Sequence, residues 1–186
     1  MSSLVVGISH ASAPITAVEK VVVGVDSVAK LLAETTQIDH VGEAAALVTC
    51  NRVELYAEVS RFHGSVEAIS SLLIERSGLP AAEVLPHLYV HYDQAAVAHL
   101  FTVAAGLDSV AVGEAQILGQ VRRALRTGQD EGTLGAGLNQ LFQQALRVGK
   151  RAHAETDIDR AAPSLVAAGL DLAVQRWPER AAAPIE

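Results

Sequence analysis

Apolar residues along this chain recur with two different periods, and the switch between them falls near residue 92. Residues 4–9 (LVVGIS) form a short apolar run closed by His10 and an Ala-Ser-Ala-Pro turn, which predicts a buried strand. In residues 26–36, Val28, Leu31, Leu32 and Thr35 fall at helical spacing, with Asp26 placed to cap the helix. Residues 44–48 and 53–60 predict two strands with a turn at Cys50 between them. Residues 64–77 carry Val66, Ile69, Leu72 and Leu73 on one stripe, and Gly78 is a stop signal. A short β-favouring run follows at residues 88–91. The order β-α-β-β-α-β is that of the ferredoxin-like split βαβ unit.

Beyond Tyr92 the period becomes 3.6. Val97, Leu100, Phe101 and Ala104 mark one helix, and Ile117, Val121, Ala124 and Leu125 the next. Leu138, Leu141, Phe142, Ala145, Val148, Gly149 and Ala152 hold one face over four turns of a third helix. The expectation is an α+β chain, a βαββαβ sheet unit over residues 4–92 followed by a helical bundle over residues 93–158. Pro163-Ser164 opens a last helical stretch ending at Trp177-Pro178, and residues 179–186 lack periodicity and are expected to fray.

Composition narrows the class. The 186 residues are 50% hydrophobic and 19% charged, so a packed core is expected and wholesale disorder is not. A formal charge of −7 argues against gripping nucleic acid by bulk electrostatics. Two local basic groups stand out, Arg122, Arg123 and Arg126 in one segment and Arg147, Lys150 and Arg151 in another; solvated helix faces are their plain reading. The single cysteine excludes an internal disulfide, and the N-terminus lacks the basic and apolar regions of a secretory signal. Residues 95–107 form the longest uncharged apolar stretch, too short to span a bilayer. The expected place is the cytoplasm, with no membrane partner. No metal-ligand spacing and no glycine-rich dinucleotide or phosphate loop appears.

The chemistry concentrates in two segments. Cys50 lies in Thr49-Cys50-Asn51-Arg52, directly after an apolar strand, where a thiol could attack a polarised carbonyl. The competing reading is an inert core cysteine, against which its polar neighbours weigh. His99, beside an apolar helical stripe, reads either as a hydrogen-bonded flank residue or as an acid or base; His10 has the same ambiguity. Gly106-Leu107-Asp108-Ser109 and the segment Gly113-Glu114-Ala115-Gln116, followed by Gln120, crowd hydrogen-bonding groups into little space. Gln116 and Gln120 share a helical face, either solvated or lining a site for an amino-acid head group.

These segments carry a resemblance. GISHASAP from Gly7, VTCNRVELYAEV from Val48, HLFTVAAGLDSVAVGEAQILGQVRRAL from His99 and LFQQALRVGKRAHAETDI from Leu141 resemble the N-terminal, substrate-binding part of glutamyl-tRNA reductases. The resemblance implies that Cys50 attacks the ester linking glutamate to tRNA(Glu), giving a thioester that NADPH reduces to glutamate-1-semialdehyde in tetrapyrrole (haem) synthesis. It implies a catalytic role for His99 and substrate contacts from Thr49, Asn51, Arg52, Ser109, Glu114, Ala115, Gln116 and Gln120. It also implies glutamate-1-semialdehyde aminomutase as a partner of the whole enzyme.

Two departures stand out: Ser9 where the family often has Asn, and His153 where a second arginine is common. The expected division is a catalytic domain over residues 1–158 and the start of a linking helix with a frayed tail over residues 159–186. The NADPH-binding and dimerisation domains are expected to lie outside the chain, which would itself bind no cofactor and carry out only thioester formation and ester hydrolysis. The alternative is a truncated, noncatalytic relative that binds tRNA or regulates.

Overall fold

The two-residue alternation of β1 (Ser2–Ser9) sends Leu4, Val6 and Ile8 to one side of a sheet and Val5 and Gly7 to the other, and each side meets its own layer of helices. The structure, a computed structural model, describes residues 1–24, 27–110, 112–113, 116–156, 158, 172 and 174–176. β1 pairs antiparallel with β3 (Arg52–Val59) and with β4 (Tyr89–Tyr92), and β2 (Val41–Val48) pairs antiparallel with β3. The strand order β2-β3-β1-β4 is that of the expected ferredoxin-like unit.

On the first face, Leu4, Val6 and Ile8 join Val53, Leu55, Ala57 and Val59 of β3 in one core. That core is closed by α1 (Ile15–Gly24), α2 (Val28–Thr36), α3 (Phe62–Ser77) and α4 (Ala81–Val84). On the second face, Val5, Ala45, Leu47 and Tyr56 pack under α5 (Gln94–Ala104), α6 (Gln116–Asp130) and α7 (Ala136–Glu155). An antiparallel sheet commonly leaves one face in water; this one is covered on both. The helical layer is therefore a second core, built on the sheet.

The element boundaries follow local chemistry. Ser27 caps α2, its hydroxyl accepting from the Lys30 amide at 3.3 Å; Asp26, the expected cap, lies outside the described residues. Gly78 ends α3 at φ 65°, a left-handed position that glycine adopts without strain. α1 is an addition to the expected elements: its run of valines is a weak helix former, and burial of Val18 and Val21 overrides that propensity. α4 and the 3₁₀ turn Leu85–His87 also join the expected set. The helical stretch expected over residues 164–177 lies almost wholly outside the described residues.

Two contacts fasten the helical layer to the β2 edge. The Glu43 carboxylate accepts from the backbone amides of Gly137 (3.1 Å) and Leu138 (2.7 Å), supplying the negative charge and acceptors that the first turn of α7 lacks. Thr133 donates its hydroxyl to the Ala44 carbonyl at 2.9 Å, and the Ala44 amide donates to the Thr133 carbonyl at 2.9 Å. Among the described residues, no helix is long and apolar enough to cross a membrane.

Candidate active site

The β2–β3 hairpin turns through Thr49-Cys50-Asn51. The Thr49 amide donates to the Arg52 carbonyl at 2.9 Å, closing the turn. The Thr49 hydroxyl oxygen accepts from the amides of Asn51 (3.1 Å) and Arg52 (3.2 Å). The turn is thus held by its own side chain, and Cys50 stands exposed at its tip. Exposure removes the inert-core reading. The end of β1 is tied to the same turn, since the His10 amide donates to the Asn51 carbonyl at 3.0 Å. Ser9, buried, keeps the following bend in shape: its amide donates to the Ser12 hydroxyl and its own hydroxyl accepts from the Ala11 amide.

Cys50 opens onto a cavity of about 220 Å³ lined by His10, Thr49, Asn51, Arg52, Ser109, Val110, Gln116, Ile117 and Gln120. Seven of the residues named from the sequence meet here: Thr49, Cys50, Asn51, Arg52, Ser109, Gln116 and Gln120. Gln116 and Gln120 reach it from the start of α6, whose neighbouring face is buried through Ile117, Val121, Ala124 and Leu125. Glu114 and Ala115 lie outside the described residues. His99 does not line this cavity. It lines an adjoining one of about 270 Å³ with Ser9, Ala11, Ser12, Tyr89, His91, Thr102 and Asp108.

Between the two cavities lies a buried carboxylate. Along β3, Arg52, Glu54, Tyr56 and Glu58 alternate with Val53, Leu55, Ala57 and Val59, so one face of the strand is a polar stripe. α5 to α7 cover that stripe, and Glu54 is entirely removed from water. Its Oε1 accepts from Arg52 Nη1 at 2.7 Å, from the Tyr89 hydroxyl at 2.5 Å and from His99 Nε2 at 2.8 Å. Its Oε2 accepts from the Tyr56 hydroxyl at 2.6 Å. Because an ionised carboxylate only accepts, Nε2 carries the proton in the His99 pair. Room for this group exists because Gly7, paired with Glu54 in the sheet, has no side chain: a Cβ there would lie 2.8 Å from Glu54 Cγ and 3.0 Å from the Tyr89 ring.

The electrostatics follow from the burial. Desolvation alone would raise the Glu54 pKa, but the His99 hydrogen bond, the Arg52 charge and the Tyr56 hydroxyl outweigh it and hold the group at about 2. Burial and the neighbouring Glu54 charge push the hydroxyls of Tyr56 and Tyr89 well above the phenol range. Arg52, 2% exposed, is opposed by desolvation, yet Glu54, Tyr89 and Asp108 hold it more firmly cationic than a free guanidinium. Its Nη2 donates to the Asp108 carboxylate at 3.0 Å and to the Asp108 carbonyl. A single guanidinium thereby spans the strand and the loop that carries Ser109. His91 stacks on His99 at 4.3 Å; burial, then the His99 charge, lowers its pKa against the opposing pull of Glu54 and Asp108.

Sequence reading missed Glu54 and Tyr89 as site residues and singled out Asp108 only as part of a polar loop. The signal for Glu54 was the Arg-x-Glu-x-Tyr alternation directly after Cys50, which places three polar side chains on one strand face. What could not be read was that this face is buried. Among the described residues no cluster of metal-ligating side chains occurs.

The model of the family "Glutamyl-tRNAGlu reductase, N-terminal domain" matches residues 6–156. The chain is 61% identical over 171 residues to glutamyl-tRNA reductase 1 of Nocardioides sp., a match covering 92% of this chain and 40% of that protein. It is 54% identical over 182 residues to the glutamyl-tRNA reductase of Streptomyces avermitilis, covering 95% and 32%. The solved structure of glutamyl-tRNA reductase from Methanopyrus kandleri superposes with a TM-score of 0.74 at 32% identity, over 93% of this chain and 39% of that one. The chain thus spans two fifths or less of the length of these relatives.

Proposed function

The chain belongs to the glutamyl-tRNA reductase family, matching its N-terminal domain, and from that premise we propose that the Cys50 cavity receives the glutamyl ester at the 3′ end of tRNA(Glu) and forms a thioester with it. One observation carries this reading above the rest: the chain's only cysteine is exposed at a hairpin tip, in a cavity walled by Arg52, Ser109, Gln116 and Gln120.

In this reading the Cys50 thiolate attacks the ester carbonyl carbon. The bond from that carbon to the ribose oxygen breaks, and the proton lost by the thiol ends on the ribose oxygen. His10, which lines the same cavity, carries that proton. Arg52 pairs with a carboxylate of the glutamyl group, which an amide in its place could not match. Ser109, Gln116 and Gln120 supply the hydrogen bonds that fix the remaining polar atoms. His99 acts at one remove: held on the Glu54 oxygen that also binds Arg52, it is a positioning residue for the guanidinium.

The resemblance implies NADPH for the whole enzyme. Among the described residues no strand leads through a glycine-rich turn into a helix, the arrangement that receives a dinucleotide pyrophosphate, so these residues do not fit that cofactor.

The test is to mix the chain with glutamyl-tRNA carrying radiolabelled glutamate, quench in acid, and look for label on protein. Label on the wild type and none on Cys50→Ala supports the reading. Label surviving in Cys50→Ala removes Cys50 as the nucleophile. Binding of the tRNA with neither label nor accelerated deacylation favours a noncatalytic, tRNA-binding role.

A further inference from the structure

The helix that closes one wall of the Cys50 cavity continues beyond it as a row of arginines. Gln116 and Gln120 line the cavity, and Gln116, Gly119, Gln120, Arg123 and Arg126 fall at i, i+3, i+4, i+7 and i+10 of α6, one outward stripe. Arg122 flanks it. At 1.5 Å per residue, Arg123 and Arg126 lie about 4.5 Å and about 9 Å past Gln120 along the axis. All three arginines are exposed, and none makes an ion pair or hydrogen bond with another described residue. Gly119 leaves the stripe open where it meets the cavity, since a Cβ there would touch nothing.

This arrangement is unusual for the chain that carries it. The protein is acidic, at −7, yet α6 has no Asp or Glu before Asp130 at its last position. Arg122 and Arg126, four apart, repel one another on the helix surface, and helices that gain from surface charge place acids at such spacings. On α7, by comparison, Arg151 donates to Glu155 at 2.8 Å and 3.0 Å, while Arg147 and Lys150 are exposed like the α6 arginines. Unpaired guanidinium groups in a row suit a polyanion, because each can hold a phosphate with two hydrogen bonds.

Resting on the reading that Cys50 attacks an ester borne by RNA, we propose that Arg122, Arg123 and Arg126 form the track for the RNA backbone next to that ester. The acyl group enters between the hairpin tip and Gln116, and the phosphates immediately 5′ of the esterified ribose lie along α6. The track reads charge and spacing, with no base specificity of its own.

The experiment uses the full chain and glutamyl-tRNA whose ester is replaced by a stable amide, with affinity measured between 50 and 200 mM salt. Each phosphate contact on a single strand contributes a slope of about −0.7 in log K against log salt. Replacing all three arginines by Gln, a good helix former, should flatten the slope by roughly 2 and weaken binding about tenfold or more. Arg151→Gln should change neither. For turnover, the triple variant should lose glutamyl-tRNA deacylation relative to deacylation of glutamyl-adenosine, which has the ester without the RNA. An unchanged slope in the triple variant, or equal losses on both esters, overturns the track while leaving the Cys50 reading intact. A wild-type chain that binds no tRNA overturns both.

Discussion

Arg52 and His99, 47 positions apart in sequence, bind the same oxygen atom: Glu54 Oε1 accepts from Arg52 Nη1 at 2.7 Å and from His99 Nε2 at 2.8 Å. The guanidinium that faces Cys50's cavity and the imidazole that faces the next cavity are therefore oriented by one carboxylate. Movement of either donor is felt by the other through a group with no access to water.

Removing that carboxylate should be costly. Glu54→Ala strands Arg52, Tyr56, Tyr89 and His99 as donors in a buried space, and loss of one partner from a buried ion pair typically costs about 3–5 kcal/mol. Glu54→Gln should cost less, because the amide oxygen still accepts while its NH₂ faces donors. Urea denaturation of both variants measures this, and a loss below about 1 kcal/mol for Glu54→Ala would mean that the cluster contributes little to the fold.

The same cluster sets a direction for pH dependence. The Glu54 pKa in the folded chain, about 2, lies below its ordinary 4.5, so its contribution is complete above about 4.5 and is lost as pH falls toward 2. His91, lowered by burial and then by His99, works with the same sign: its neutral form suits the fold, and acidification below the ordinary 6.5 acts against it. Stability followed by fluorescence from pH 7 to pH 2 should fall with acid. Glu54→Gln should be flatter in the lower part of the range, and His91→Asn in the upper.

The two histidines should separate kinetically. His10→Asn should slow thioester formation at saturating glutamyl-tRNA by about 10²-fold or more, the usual scale of general acid–base assistance. His99→Asn should act mainly on KM, by loosening Arg52. Single-turnover acylation over a range of tRNA concentrations distinguishes the two; a His10→Asn chain with an unchanged acylation rate would return proton transfer to His99.

Arg52→Lys keeps the charge but has one nitrogen where the wild type uses two, so it cannot hold Glu54 and both Asp108 oxygens in the same geometry. The Ser109 loop should lose its fixed distance from the strand. An increase of about tenfold in KM for glutamyl-tRNA is expected, equal to about 1.4 kcal/mol. Unchanged turnover and unchanged preference for glutamyl- over glutaminyl-tRNA would show that Arg52 does not read the substrate.

The sheet unit was legible because its strands are short apolar runs between turn residues, and the Cys50 hairpin because a polar tetrapeptide separates two of them. The three helices after Tyr92 were legible from their stripes. α1 was not, since ITAVEKVVVG has the β-branched composition of a strand and becomes helical through the burial of Val18 and Val21. The cavity residues were found by motif, and spacing alone left Gln116 and Gln120 equally readable as solvated. Glu54 was hidden for another reason: RVELYAEV alternates as a half-exposed strand would, and only the docking of α5 to α7 turns its polar face into an interior.

The clasp between Glu43 and the first turn of α7 bears on whether the chain can be divided where its pattern changes. A fragment ending at Tyr92 would contain all four strands, yet it would present Val5, Ala45, Leu47 and Tyr56 to water and leave Glu54 without His99. A fragment beginning at Asp93 would leave the apolar stripes of α5 to α7 uncovered and α7 without its acceptor. Neither piece is expected to fold alone, and hydrogen exchange in the protected amides of α7 and of the central strands should proceed through one shared opening.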